Sequence, residues 1–298
     1  MILVAGSANL DFVVRASHIP APGETVLGND FRTFPGGKGA NQAIASVRSG
    51  GVATTMIVAL GNDAFAVPLE ESLNAAGVRL HLKRMADQPT GTAFICVSDD
   101  AENAITVAPG ANNSLRPDDL VPSAELSRFS HLLLQLETPM DTVTAFARAA
   151  RQQGVKVVLN AAPAQSLSGE LLALIDVLIV NEGELAVVAN HTGSIEECLE
   201  RISVPCVVVT LGSRGACARV DGQILKQSAF PVTPVDTTGA GDTFCGAFVA
   251  ALSHGQDVAQ ALLQASAAGA LACTKPGAQS SIPTHAEVQA FLKSSVAS

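Results

Sequence analysis

His131-Leu132-Leu133-Leu134-Gln135-Leu136 is an almost continuous apolar run, and it opens the part of the chain where the pattern of elements is clearest. Residues 142–153 have the apolar spacing of a helix, and further apolar runs follow at 155–159, 176–180 and 206–210. Continuous apolar strands separated by helices are typical of a parallel sheet covered on both faces. The pattern therefore predicts an α/β fold with a mostly parallel central sheet, to which the chain start at 2–5 adds a strand.

Polar side chains lie just past the ends of the predicted strands. Parallel sheets bind ligands at the carboxyl ends of their strands, so these positions are candidates for a shared site: Asn9, Asp11, Glu137, Asn160, Asn181 and residues 210–212. Acid and amide side chains occur there more consistently than loop starts alone require. The pattern favours a joint binding site along this edge.

Two segments, 12–34 and 91–109, interrupt the alternation of strands and helices. Both have the character of short antiparallel strands, and the first contains Pro20, Pro22 and Gly23. We expect a small discontinuous β-sheet that forms a lid over the strand ends and excludes water. The chain, 1–298, is then a single α/β domain that carries this lid.

Composition limits the classes of partner. The chain has 298 residues, of which 48% are apolar, and a net charge of -9. It can bury a large core, and its acidity disfavours nucleic acid and anionic membranes as partners. The six scattered cysteines, without a C-x-x-C pair, indicate buried free thiols in a reducing compartment. With neither a signal peptide nor a membrane span recognisable, a cytoplasmic location is expected.

A second informative stretch combines a strand-like run, three small residues and the start of an apolar helix. It is Val235-Asp236-Thr237-Thr238-Gly239-Ala240-Gly241-Asp242-Thr243-Phe244. Bare backbone N–H groups and the helix dipole make such a turn an anion site, most naturally for phosphate. A carboxylate at Asp242 suits a base that takes a proton from a nucleophile while a phosphoryl group is held beside it. Locally, a helix cap at Asp242 explains the pattern equally well.

A second Gly-rich turn, Pro35-Gly36-Gly37-Lys38-Gly39-Ala40-Asn41-Gln42, also leads into a helix. It is neither a Walker A loop nor a dinucleotide fingerprint, because Gly39 and Gln42 occupy positions that those motifs reserve for other residues. The glycines let the backbone approach a small polar ligand, with Lys38 and Asn41 as donors. The alternative is a tight turn with a solvated lysine.

The remaining candidates each have two interpretations. Asn9 and Asp11 point to one side of an extended chain, which suits vicinal hydroxyls, although turns also favour both residue types. Glu137 is either a hydroxyl acceptor or an acid at a helix start. Asn181 and Glu184 suit Mg²⁺ or phosphate, or a capping box. Residues 210–215 form a phosphate-edge loop or an ordinary β-turn.

Taken together and in this order, these segments resemble the ribokinases and the wider PfkB carbohydrate kinase family. The similarity runs from end to end through these stretches: Gly6–Asp11, 22–26, 36–43, 108–112 in part, 134–139, 181–184, 210–215, 236–244 and 275–279. Residues 239–242 mark the family, and 36–42 with 134–137 point towards ribokinases within it. The resemblance implies a ribokinase-like three-layer αβα fold with a lid, which often pairs between subunits in a homodimer.

The resemblance also implies a role for each matching position. Asp242 would be the general base, and the N–H groups of Gly239, Ala240 and Gly241 would form the anion hole. Ribose would be held by Asn9, Asp11, Gly37, Lys38, Asn41, Glu137 and Asp242. ATP and its Mg²⁺ would be served by Asn181, Glu184, Thr210 and Gly212. A monovalent cation, usually K⁺, would lie at Asp236, Thr238, Ala272, Lys275, Gly277 and Ser281.

The activity implied is ATP-dependent phosphorylation of D-ribose at O5. Alternatives are the same chemistry on 2-deoxyribose, fructose or a nucleoside, or a non-catalytic sugar-binding protein on this fold. A nucleoside needs a stacking platform, for which the lid offers only phenylalanines, and the polar set at the strand ends suits a small polyol better.

Overall fold

The structure of the protein is a computed structural model that describes residues 1–100 and 102–296. Its strands are β1 (Ile2–Ala5), β2 (Asn9–Arg15), β3 (Asp30–Gly36), β4 (Thr54–Gly61), β5 (Arg79–Met85), β6 (Gly91–Val97), β7 (Asn103–Ala108), β8 (His131–Leu134), β9 (Lys156–Asn160), β10 (Val177–Asn181), β11 (Cys206–Thr210), β12 (Ala216–Val220) and β13 (Gln223–Gln227). Its helices are α1 (Lys38–Arg48), α2 (Ala66–Ala75), α3 (Ser123–Leu126), α4 (Met140–Gln152), α5 (Gly169–Leu174), α6 (Glu182–Ala189), α7 (Ile195–Glu200), α8 (Ala240–Ser253), α9 (Val258–Ala272) and α10 (His285–Val296).

The main sheet has nine strands in the order β13-β12-β11-β10-β9-β8-β1-β4-β5. Neighbours from β11 through β5 are parallel, and β12 and β13 add an antiparallel edge. The predicted α/β fold with a mostly parallel sheet is therefore confirmed. Strands predicted at 2–5 and 206–210 have the expected bounds, and the others differ by one or two residues.

Apolar cores cover both faces of this sheet, which explains why its strands are continuously apolar. On one face, Ile44 of α1 and Phe248 of α8 pack with Met56 of β4. On the other, Phe146 of α4 packs with Leu132 of β8. All of these side chains are almost completely buried. The helices thus form the two outer layers of an αβα arrangement.

The second sheet has four strands in the order β3-β2-β6-β7 and is built from both segments that interrupt the alternation. Its outer pairs are antiparallel, as expected, but β2 and β6 are parallel, with Asn9 opposite Gly91. Each segment thus forms an antiparallel pair, as predicted, and the parallel pairing of β2 with β6 joins the two segments. Strands β2 and β6 follow the parallel strands β1 and β5, so both enter the second sheet running in the same direction.

The strand-like run at 235–238 is not a strand in the structure. Pro231 and Pro234 precede it, and proline supplies no N–H for a ladder. Instead the N–H groups of Val235 and Asp236 donate to the carbonyl of Cys273, at 2.8 and 3.2 Å. The segment therefore docks against the end of α9. It then continues directly into the turn before α8.

All six cysteines are free thiols, and four of them are buried, as predicted. Across residues 1–100 and 102–296, no helix combines the length and the apolar character that a bilayer crossing requires.

Helices α1 and α8 approach each other closely at Gly246. A Cβ built on Gly246 would lie 2.5 Å from both the Cβ of Ala45 and the carbonyl oxygen of Gln42. Because α1 carries Lys38 and Asn41 while α8 carries Asp242, this contact sets the distance between two groups of candidate site residues.

We expect Gly246→Ala to lower the free energy of unfolding by ~1–3 kcal/mol, because the added methyl overpacks the α1–α8 contact. Equilibrium urea unfolding measures the change. Gly169→Ala on α5 is the matched control, since no atom lies within 4 Å of a Cβ built there. A Gly246→Ala protein as stable as the parent would contradict the close-contact argument.

Candidate active site

The start of α8 requires a glycine at its N-cap. Gly239 has a φ of +75°, and a Cβ there would lie 2.9 Å from the Cα of Ala278. Beside Gly241 the space is open, with no atom within 4 Å of a built Cβ. The N–H of Ala240 already donates to the carbonyl of Thr237 at 3.2 Å. An anion at this turn would therefore meet Gly241 unobstructed and would share or replace the contact of Ala240.

Asp242, the third residue of α8, does not cap its own helix, because the start of α8 has no side-chain cap hydrogen bond. Its carboxylate instead accepts hydrogen bonds from two amides of α1. Asn41 Nδ2 donates to Oδ2 at 2.9 Å, and Gln42 Nε2 donates to Oδ1 at 2.8 Å. The helix-cap interpretation of Asp242 is therefore wrong, and this carboxylate is a fixed acceptor between α1 and α8.

The start of α1 lies against the exit of β1. Its N-cap Gly37 has a φ of +90°, and a Cβ there would be 2.7 Å from the Cα of Ala8. Here Glu137, after β8, accepts from the Ser7 hydroxyl at 2.5 Å and from the backbone N–H of Lys38 at 3.2 Å. Glu137 thus joins the β1 exit to α1, rather than acting only as an acid at a helix start.

Asn9 and Asp11 have different surroundings. Asn9 is buried, and its side-chain oxygen accepts from Asn112 Nδ2 at 2.8 Å. The side-chain carboxyl of Asp11 receives no hydrogen bond from any of the described residues. Burial, together with the negative charges of Glu137 and Asp242, raises the pKa of Asp11 to about 7. Asp11 is therefore an acceptor that lacks a donor, in a place where a ligand hydroxyl could supply one.

Lys38 is the cation at the centre of these carboxylates. The charge of Asp242 raises the pKa of Lys38, and Glu137 and Glu184 add to the effect against the opposing influence of burial. For the Glu184 carboxyl, by contrast, burial raises the pKa, and the charge of Lys38 partly offsets that rise. The site is thus a half-buried acidic cluster with one ammonium group, near two helix N-termini whose dipoles favour negative charge.

A cleft of about 170 Å³ lies between the starts of α1 and α8 and the ends of β10 and β11, and its lining does not include Asn9, Asp11, Gly37, Asn41 or Glu137. Its lining includes Lys38, Asn181, Glu184, Thr210, Gly239, Gly241 and Asp242. Gly212 is not part of this lining, since it begins an exposed 3₁₀ turn between β11 and β12. The carboxylate at α8 therefore faces the same space as the residues predicted to serve a nucleotide.

Asn181 and Glu184 form the capping box. The side chain of Asn181 accepts from the N–H of Glu184, and the carboxylate of Glu184 accepts from the N–H of Asn181, both at 2.8 Å. Glu184 still lines the cleft, so the capping role orients its carboxylate without removing it from the site. Oxygen ligands of this kind fit Mg²⁺.

The positions predicted for a monovalent cation meet around Asp236. Its carboxylate accepts from the N–H groups of Thr238 at 2.9 Å and Gly277 at 2.8 Å, joining two segments of the predicted set. Ser281 is buried and donates to the carbonyl of Ala278. The side chain of Lys275 instead pairs with Glu287 on α10, and Ala272 is the buried end of α9. The Lys275 ammonium is therefore engaged by Glu287 and is not available as a ligand for a cation.

Among the described residues, no group of three or more His, Cys, Asp or Glu side chains has the arrangement of a metal centre.

Sequence reasoning gave no role to several polar residues that organise the site: Ser7, Gln42, Gln135, Asn112 and Gln279. They are buried, and they act on the predicted residues rather than on the cleft. A partial signal existed for Gln42, which lies within the apolar run of α1 where an amide needs a polar partner. Asn160 was noted as a strand-end residue, and it bonds to Gln42 at 2.9 Å.

Because the pKa of Asp11 is raised in the folded protein, we expect the free energy of unfolding to depend on pH. The pKa of about 7 for Asp11 lies above the ordinary 3.8, so ionising it disfavours the folded state as pH rises from about 4 through 7. Asp11→Asn should therefore stabilise the protein by roughly 1–3 kcal/mol above pH 7, after allowance for solvent screening, and by nothing below about pH 4. Urea unfolding across this range, with the exposed Asp87→Asn as control, measures it. A gain that is the same at all pH values would contradict the assignment.

Comparison with known proteins gives the same picture. The family model described as pfkB family carbohydrate kinase matches residues 1–285. A ribokinase of Haemophilus influenzae is 38% identical over 301 residues, covering 98% of both chains. A deoxyribokinase of Salmonella typhi is 31% identical, also covering 98% of both.

Among solved structures, that of Arabidopsis thaliana ribokinase complexed with ribose and ATP is similar. It matches with a TM-score of 0.90 and 33% identity, covering 98% of both chains. With the family match over almost its whole length, the fold and the residues gathered at the α1 and α8 N-termini, this chain belongs to the PfkB family of carbohydrate kinases.

Proposed function

We propose that the protein is a ribokinase, which transfers the γ-phosphoryl group of ATP to O5 of D-ribose and releases D-ribose 5-phosphate and ADP. The observation that carries this proposal is the carboxylate of Asp242, fixed by two amides at a Gly-rich helix start and facing the cleft that Lys38 and Glu184 also line. The similarity to a ribokinase over 98% of the chain supports D-ribose as the substrate.

The proposed reaction uses Asp242 as general base. Its carboxylate takes the proton of the O5 hydroxyl as that oxygen attacks the γ-phosphorus in line, and ADP leaves on the opposite side. The N–H groups of Gly239, Ala240 and Gly241 receive the charge on the transferred oxygens. Positioning and charge neutralisation supply most of the acceleration.

The sugar pocket proposed here uses the β1 exit and the α1 start. Asn9, Asp11, Asn41 and Glu137 offer side-chain acceptors and donors, and Gly37 with Lys38 allows close backbone approach. Asp11 supports this assignment because its carboxyl is an acceptor without a donor among the described residues. Burial, together with the charges of Glu137 and Asp242, raises its pKa to about 7. A ribose hydroxyl would supply the missing donor.

For the nucleotide, we propose that Asn181, Glu184 and Thr210 hold ATP and its Mg²⁺, with Gly212 at the margin of the site. When bound, Mg²⁺ neutralises phosphate charge. We further propose a K⁺ site at the turns joined by Asp236, comprising Thr238, Ala272, Gly277 and Ser281. Lys275 contributes to it at most through its backbone, since its ammonium pairs with Glu287.

The wider organisation is also proposed. Residues 1–298 form one domain, and the second sheet, from about 12–34 and 91–109, acts as its lid. Ile105 and Val107 share one face of that sheet and are 55% and 42% exposed, which favours pairing with the lid of a second subunit in a homodimer. Six free thiols suit a reducing compartment such as the cytoplasm.

The substrate is tested by ADP release with MgATP and either D-ribose, 2-deoxyribose, fructose or adenosine, in KCl and in a salt without an activating cation. We expect the highest kcat/KM for ribose, together with stimulation by KCl. A preference for 2-deoxyribose, the sugar named for the Salmonella typhi relative, would be compatible with the kinase mechanism but would contradict ribose as the substrate. Tight ribose binding in calorimetry without ADP release would favour the non-catalytic alternative.

The base is tested by Asp242→Asn. We expect kcat to fall by about 10²- to 10⁴-fold, because the amide cannot take the proton. The protein should still fold, with an unfolding free energy lower by about 1–3 kcal/mol, because the new NH₂ group faces one of the two amide donors. Steady-state kinetics and urea unfolding measure the two effects. Asp257→Asn, at the N-cap of α9, is the matched control, since Asn caps as well as Asp. Near-normal kcat in Asp242→Asn would rule out the base assignment.

A further inference from the structure

We propose that Gln42 is a positioning residue for Asp242, and that the main-chain carbonyl of Ile179 fixes which way its amide points. The proposal deepens the proposed kinase reaction and rests on Asp242 as its base. It assigns a function to a buried glutamine that touches neither the sugar side nor the nucleotide side of the cleft.

The orientation of the amides follows from a chain of hydrogen bonds that begins at β10. A main-chain carbonyl can only accept, so Asn160 must direct its Nδ2 to Ile179 O, at 3.1 Å. Asn160 Oδ1 is then the acceptor for Gln42 Nε2, at 2.9 Å. Gln42 therefore presents its NH₂ group on this side, and its second hydrogen reaches Asp242 Oδ1 at 2.8 Å.

The other end of the Gln42 amide is fixed as well. Gln42 Oε1 accepts from Gln135 Nε2 at 2.7 Å, so a flip of Gln42 would set oxygen against two acceptors and NH₂ against a donor. Amide oxygens and nitrogens are normally hard to tell apart, and the network is what distinguishes them. The observed arrangement pairs both ends of the Gln42 amide, whereas a flip of that amide would leave its buried polar atoms unpaired, which is costly.

The burial of Gln42 excludes direct contact with a substrate and leaves a positioning role. Gln42 is 0% exposed and Gln135 is 1% exposed, so neither can reach a ligand in the cleft. Gln42 acts on the cleft through two residues that line it, the proposed base Asp242 and Asn160. Because Asn41 holds Oδ2 while Gln42 holds Oδ1, the two donors fix the plane of the carboxylate. Each oxygen keeps a further lone pair, and one of these can face the hydroxyl that is deprotonated.

The test compares Gln42→Met, which removes the donor, with Gln42→Glu, which replaces it with an acceptor of the same shape. Ser46→Ala is the matched control: one turn further along α1, it loses a buried hydroxyl that bonds only to the Gln42 and Gly246 carbonyls. For Gln42→Met we expect kcat to fall about 10- to 100-fold, with the sugar KM changed by less than about threefold. Ser46→Ala should leave kcat within about twofold.

The pH dependence of Gln42→Glu distinguishes positioning from general loss of structure. An ionised carboxyl beside Asp242 repels it, whereas a protonated carboxyl can donate as the amide does. The ratio of the kcat of this variant to that of the parent should therefore rise at least about tenfold from pH 8.5 to pH 5.5. A ratio independent of pH, or a fall in kcat matched by Ser46→Ala, overturns the proposal.

A readout without turnover keeps this result separate from the kinase assignment. The side-chain NH₂ protons of Gln42, observed by NMR in the full-length protein, should exchange slowly with water and shift when Asp242→Asn removes the charged acceptor. If they do not respond, the positioning proposal fails, whatever the activity. If they respond while the parent protein phosphorylates no sugar, the hydrogen bond stands but its role in positioning a base is overturned together with the proposed reaction.

Discussion

The site depends on the close approach of α1 to α8 at Gly246. No Cβ fits there, so the two helices are nearer than ordinary side chains allow, and their N-terminal turns meet at one edge of the sheet. Each helix begins at a glycine with positive φ, Gly37 or Gly239. The same contact places Asn41 and Gln42 within hydrogen-bond distance of Asp242. Helix packing thus determines the geometry of the candidate base.

This arrangement concentrates negative charge that must be balanced locally. The carboxylates of Glu137, Glu184 and Asp242 each accept donors from the protein, from hydroxyl, main-chain and amide groups respectively. The carboxyl of Asp11 has no such donor among the described residues, and burial with the charges of Glu137 and Asp242 raises its pKa. The protein is therefore complementary to a ligand that brings hydroxyl donors on one side and to an anion at the helix starts on the other. In the proposed sugar pocket, the ionised carboxyl of Asp11 lowers the stability of the folded protein and offers an acceptor to a ligand hydroxyl.

Much of the fold could be predicted from the sequence because buried parallel strands are continuously apolar, as at 131–134 and 206–210. The parallel pairing of β2 with β6 could not, because it depends on which strands of the main sheet precede them. The run at 235–238 was misread since β-branched residues favour strands, while its two preceding prolines and its contact with Cys273 determine the outcome. The local alternatives at Asn181 proved compatible, because a capping box can also aim Glu184 into the cleft.

The site residues divide in the same way. Glycine-rich turns and strand-end acids have local signatures, so Asp242, Lys38 and Glu137 could each be identified from the sequence as candidates. The partner of a buried amide is set by tertiary structure. Nothing local to Gln42 specifies that its Nε2 donates both to Asp242 and to Asn160, which is more than a hundred residues away. Once the sheet forms, however, the choice is no longer free, because the carbonyl of Ile179 can only accept. A main-chain group outside every recognised motif therefore determines the polarity of the groups that hold the candidate base.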